Sequence, residues 1–83
     1  MNSGMIGKVA KAHRYAEERG RFRFTQLQVL VHGDNSEHMV TLDGEHWRCD
    51  CEFFSHHGTC AHTMALELLL EGMLPQSVRY AVA

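Results

Sequence analysis

Trp47-Arg48-Cys49-Asp50-Cys51-Glu52-Phe53-Phe54-Ser55-His56-His57-Gly58-Thr59-Cys60-Ala61-His62 is the stretch that decides the fold, and it contains every cysteine of the chain. Three thiols and an imidazole complete a tetrahedral ligand set for zinc. Trp47, Cys49 and Cys51 alternate with Arg48 and Asp50, the period-two pattern of a strand, so both thiols point to the same side. Cys60-x-His62 opens a long apolar-rich stretch that reads as a helix. Residues two apart inside a regular helix face away from each other, so this pair is expected to straddle the helix start. There the helix N-terminus adds partial positive charge to a site that thiolates make negative.

Working outward, Asp43-Gly44 is a tight hairpin signal leading into the cysteine-bearing strand. His38 to Leu42 reads as the preceding strand, with Val40 and Leu42 on one face, and Gly33-Asp34-Asn35-Ser36 as a turn. From Arg21 to His32 the pattern alternates, Phe22 and Phe24 first, then Leu27, Val29 and Val31 on one face, with Leu30 opposite, so the end of that strand is expected to be covered on both sides. Residues 5–19 read as a helix with Met5, Val9, Ala12 and Ala16 as its apolar stripe and Gly20 as its C-terminal cap. The segment from Glu52 to Thr59 is expected to turn the chain, with Thr59 as N-cap of a helix running from about Cys60 to Glu71. In that helix Thr63, Glu67 and Glu71 form a narrow polar stripe. Ala61, Met64, Ala65, Leu68 and Leu69 form an apolar face that Leu66, Leu70 and Met73 widen. A helix this apolar calls for cover on two sides, one from the sheet and one from the N-terminal helix or a second subunit. The fold expected is a small α+β domain: an antiparallel sheet of about three strands with an N-terminal and a C-terminal helix, stabilised by zinc.

The pattern C-x-C-x8-C-x-H, following two strands and preceding a helix, resembles the SWIM-type zinc finger. The resemblance covers roughly residues 26–72. It implies that Cys49, Cys51, Cys60 and His62 hold one structural zinc ion, with no ligand replaced. Such modules occur in proteins acting on nucleic acid and in some signalling proteins, and the resemblance implies binding of nucleic acid or protein without catalysis.

Eighty-three residues make one domain at most, expected to span 1–83, with little core. Chains this small bury only about 60–65% of their unfolded surface and often need a metal or disulfides. Disulfides fit poorly, because three cysteines leave one unpaired and Cys49 and Cys51 are too close to bridge comfortably. With no export signal or apolar run long enough to span a membrane, a reducing, cytoplasmic location is expected. The formal charge is −2, and binding zinc through three thiolates lowers it by one further unit. Its distribution is polarised. Lys8, Lys11, Arg14, Arg19, Arg21 and Arg23 face only Glu17 and Glu18, whereas the remaining arginines, Arg48 and Arg79, stand among the other carboxylates.

Four good ligands leave no open coordination position, and the deaminase arrangement H-x-E with P-C-x-x-C is absent, so no enzymatic activity is expected. His56 and His57 lie in the ligand-bearing loop but are assigned outside the ligand set. His13, His32, His38 and His46 show no ligand spacing. Phe22 and Phe24, interleaved with Arg21 and Arg23, could stack on exposed bases; as aromatics alternating along a strand they are expected in the core, with Trp47 beside the metal. The expected function is a non-catalytic binding module for DNA or RNA, with phosphates contacted by Lys8, Lys11, Arg14, Arg19, Arg21 and Arg23. The alternatives are a protein–protein adaptor and a thiol-based redox or metal sensor. Neither a membrane nor a small-molecule substrate is expected as a partner.

Overall fold

A computed structural model describes residues 3–82. Helix α1 (Ser3–Glu17) leads through a short 3-10 turn (Arg19–Arg21) to three strands, β1 (Gln26–His32), β2 (Glu37–Asp43) and β3 (His46–Cys49). Helices α2 (Glu52–His57) and α3 (Ala61–Leu69) follow. The sheet is an antiparallel meander in the order β1-β2-β3. Its register aligns two apolar rows on one face: Val29, Val40 and Cys49 across the three strands, and Leu27, Leu42 and Trp47 beside them. Gly44, at φ 63°, occupies the first central position of the two-residue β2–β3 loop, where a primed hairpin turn requires a positive φ. The small α+β architecture follows from this alternation.

The two rows carry two adjoining cores. Val40 and Cys49 pack with Cys60 and Leu66, next to Phe54 and Cys51. Leu42 packs with Leu74 and Val78 of the segment after α3, and Trp47 and Leu70 touch both groups. Val40 and Leu42 are essentially inaccessible, and full burial of such side chains stabilises a fold by about 1.5–3 kcal/mol each.

Helix α3 turns opposite to the sequence expectation. Thr63, Leu66 and Glu67, at helical spacing, are buried, while Leu68 and Leu69 are 57% and 64% exposed. Thr63 and Glu67 of the polar stripe face inward because their polar groups find partners there, while Glu71 lies exposed beyond the helix end. The Thr63 hydroxyl accepts the Cys60 N–H at 3.1 Å, and the Glu67 carboxylate accepts the amides of Ala81 and Val82 at 3.0–3.2 Å. Satisfied in this way, a buried polar group need not disfavour the core position. The helix ends at Leu69 rather than Glu71, and its N-cap is Cys60 rather than Thr59.

Other boundaries shift for local reasons. Residues expected to form a loop after Cys51 coil into α2, because the Cys51 sulfur accepts the Phe54 N–H at 3.4 Å and Gly58, in the left-handed region, caps the other end. The expected strand from Arg21 begins only at Gln26. Arg23 and Phe24 instead bond to the chain after α3, through Leu74 O and Met73 O, which leaves Phe22 and Phe24 45% and 37% exposed. Leu30 is uncovered. The N-terminal helix spans 3–17 instead of 5–19, and Gly20 lies in the 3-10 turn rather than acting as its cap.

Helix α1 buries none of its residues. It accounts for the elongated shape, 54 × 28 × 20 Å with a radius of gyration of 16.1 Å, where a compact chain of this length would have about 12 Å. Among the described residues, no helix is long and apolar enough to cross a membrane.

Candidate metal centre

The four residues of the C-x-C-x8-C-x-H pattern meet at one point. Cys49 arrives at the end of β3, Cys51 caps α2, and Cys60 caps α3, whose second residue is His62. Their donor atoms all lie within 4.8 Å of one another, and the three cysteines are free thiols. The His62 Nδ1 stands 3.6 Å from the Cys49 sulfur and 3.7 Å from the Cys60 sulfur. Zinc–sulfur and zinc–nitrogen bonds of ~2.3 and ~2.0–2.1 Å in a tetrahedron require sulfur–nitrogen edges of about 3.6 Å. The donor set therefore fits zinc in both type and separation. Cys60, just ahead of the first helical residue, and His62 do straddle the helix start.

The electrostatics of the thiols explain the need for a cation. Burial pushes the Cys49 thiol up to about 12, and the neighbouring Cys51 and Cys60 sulfurs add to the rise. For Cys60 burial also opposes ionisation, but the Thr63 backbone amide and hydroxyl and the other two thiols outweigh it and hold the group below its usual value. One thiolate is thus favoured and the next is resisted. A divalent cation removes that resistance, because ligation stabilises the thiolate form.

Around His62 lies a polar arrangement that ligand spacing alone does not reveal. The His38 ring packs over the His62 ring at 4.5 Å between centroids. His38 Nδ1 donates to the Asp50 carboxylate at 2.9 Å, and its Nε2 lies 3.2 Å from the Ser36 hydroxyl. Asp50 also accepts the Met39 N–H at 3.2 Å. That amide first, and then His38, hold the Asp50 carboxyl below its ordinary value. Gly33 completes the enclosure: a Cβ there would stand 3.4 Å from His62 Nε2 and 3.0 Å from Ser36 O. The hairpin register carried the signal. Counting back from the pair Asp43 and His46 brings Met39 opposite Asp50, and His38 next to the ligands.

His56 and His57 lie on α2, outside the cluster. His56 stands 3.9 Å from Glu52, and the His57 ring stacks on exposed Phe53. The six basic residues divide into two groups. Arg19 donates to Leu69 O at 2.6 Å, Arg23 donates to Leu74 O at 3.1 Å, and Arg21 pairs with Glu18 and covers the Tyr15 ring at 4.6 Å. Arg19 and Arg23 anchor the N-terminal arm to the end of α3 and the segment after it, while Arg21 stays within the arm. Lys8, Lys11 and Arg14 lie along exposed α1, with Arg14 also over Tyr15 at 5.4 Å.

A β-hairpin and helix brought together by three thiols and one imidazole define a small zinc-finger module. The family model for the SWIM zinc finger matches residues 29–71, just over half of the chain, and the protein belongs to that family. It is a zinc-binding module with one structural zinc ion. No curated protein and no solved structure matches the chain.

Proposed function

We propose that Cys49, Cys51, Cys60 and His62 hold the zinc, and that the folded finger is a non-catalytic module presenting α1 to the phosphates of DNA or RNA. The supporting observation is the projecting helix, which carries Lys8, Lys11 and Arg14 exposed and away from the acidic remainder of the chain. Arg19, Arg21 and Arg23 contribute to the same field, Arg19 and Arg23 also fixing the direction of the arm, and exposed Phe22 and Phe24 beside them offer faces for unstacked bases. Recognition through these side chains is electrostatic and tolerant of sequence. A reducing intracellular compartment suits three thiols that must stay unoxidised to bind metal.

The test is a salt titration of the zinc-loaded chain against labelled single- and double-stranded DNA and RNA. Each neutralised phosphate contributes a slope of roughly −0.7 to −0.9 in log K against log salt. Replacing Lys8, Lys11 and Arg14 together by Gln is expected to flatten the slope and leave the zinc content unchanged. If the unaltered chain binds no nucleic acid even at low salt, the reading fails, and a protein-adaptor role takes its place.

A further inference from the structure

Two apolar helix faces of this chain lie open. On α1, Ile6, Val9, Ala12 and Ala16 share one side, with Ile6 57% and Val9 41% exposed. On α3, Ala61, Ala65, Leu68 and Leu69 point away from the sheet. The α1 stripe is about 15 Å long and the α3 face about 12 Å, at 1.5 Å per residue. Within one chain the two do not meet. The link between α1 and β1 is held by the bonds from Arg19 to Leu69 O, from Arg23 to Leu74 O and from the Phe24 amide to Met73 O, and from there α1 runs outward.

We infer that the occupant of each face is a second copy of the chain: α1 of one copy lies across the outer face of α3 of the other, reciprocally, as a two-fold dimer. The surface area supports this. The chain exposes 6330 Å², whereas a compact monomer of 9.5 kDa would expose about 5,000 Å². The excess, roughly 1,300 Å², exceeds the ~800 Å² per partner that a stable interface buries. Coverage selects between pairings. Pairing α1 with α1 would cover Ile6 and Val9 but leave Leu68 and Leu69 exposed, whereas reciprocal pairing of α1 with α3 covers both apolar faces. Because isologous contact repeats every interaction, each copy contributes both a helix and a face. Lys8, Lys11 and Arg14 lie around the helix from the apolar stripe, so dimerisation leaves them available to phosphate. The inference does not depend on nucleic-acid binding.

The experiment is sedimentation equilibrium of the zinc-loaded chain, together with Val9→Asp and Leu69→Asp. The unaltered chain is expected at twice 9.5 kDa. Both side chains are exposed in the single chain, so each variant is expected to keep its zinc while its dimer dissociation constant rises by roughly 100-fold or more. A benzophenone amino acid placed at position 9, in a mixture of isotopically light and heavy chains, is expected to crosslink between copies to the peptide carrying Leu68 and Leu69. This second readout does not require the aspartate variants to fold. A monomer at all concentrations up to several hundred micromolar would overturn the inference, as would crosslinks that join α1 to α1.

Discussion

Replacing Glu67 by Gln is expected to loosen the end of the chain from the core without touching the metal. Glu67 is 1% exposed, and its carboxylate accepts the Ala81 and Val82 amides through three N···O separations of 3.0–3.2 Å. Hydrogen bonds to a charged acceptor contribute about 1.5–3 kcal/mol each. With its oxygen in the Oε1 position Gln keeps both amides as neutral hydrogen bonds, weaker than those to a carboxylate, while its NH2 group in the Oε2 position faces the Ala81 amide, donor against donor. After allowing for the desolvation that the neutral side chain avoids, the expected loss is about 2 kcal/mol. In a chain of this size that lowers Tm by roughly 8–16 °C. Leu74 and Val78, which pack on Leu42, belong to the same terminal segment, so loosening is expected to spread to that second core. Thermal unfolding of the zinc-loaded variant gives the stability, and amide hydrogen exchange reports Ala81 and Val82 individually. An unchanged Tm with undiminished protection at both amides would refute the inward orientation of Glu67.

Zinc loading at neutral pH is expected to release between two and three protons, measurable in weakly buffered solution, because ligation needs thiolates and the Cys49 thiol otherwise ionises at about 12. The sign of the pH dependence follows: zinc holds the folded-state thiols below the unfolded value near ~8.5, so its stabilisation is complete above that value and lost as pH falls. Chelator-detected zinc release should therefore grow on acidification, and stability that rises through that descent would contradict the assignment. Cys60→Ser is expected to abolish stoichiometric zinc, whereas His56→Ala and His57→Ala should each retain one ion per chain by metal analysis. His38→Ala should preserve the stoichiometry but weaken zinc binding by roughly 10-fold in a competition titration, as for other residues that orient a ligand.

Much of the metal centre was legible because its signal is local. Alternation at Trp47, Cys49 and Cys51 put two thiols on one face, and Cys60-x-His62 needed only the start of a helix. The three-stranded meander was legible from Gly44 and the alternation of β2 with β3. The orientation of α3 was not. Hydrophobicity alone sends Leu68 and Leu69 inward and Glu67 outward, and the amides that reverse this belong to Ala81 and Val82, more than a dozen residues away. Phe22 and Phe24 misled for a similar reason: they alternate with arginines as strand residues do, but bonds to Met73 and Leu74 divert the chain before it joins the sheet. Helix α2 escaped notice because its cap is a cysteine sulfur, which serves the metal centre as well.

X-ray absorption at the zinc edge of the purified chain tests the central claim most directly. One zinc per chain is expected, with three sulfurs at ~2.3 Å and one nitrogen at ~2.0–2.1 Å. In the His62→Ala variant the nitrogen contribution is expected to disappear or give way to water oxygen while the sulfurs stay. A first shell with fewer than three sulfurs, or a nitrogen that survives His62→Ala and disappears in His56→Ala or His57→Ala, would contradict the site.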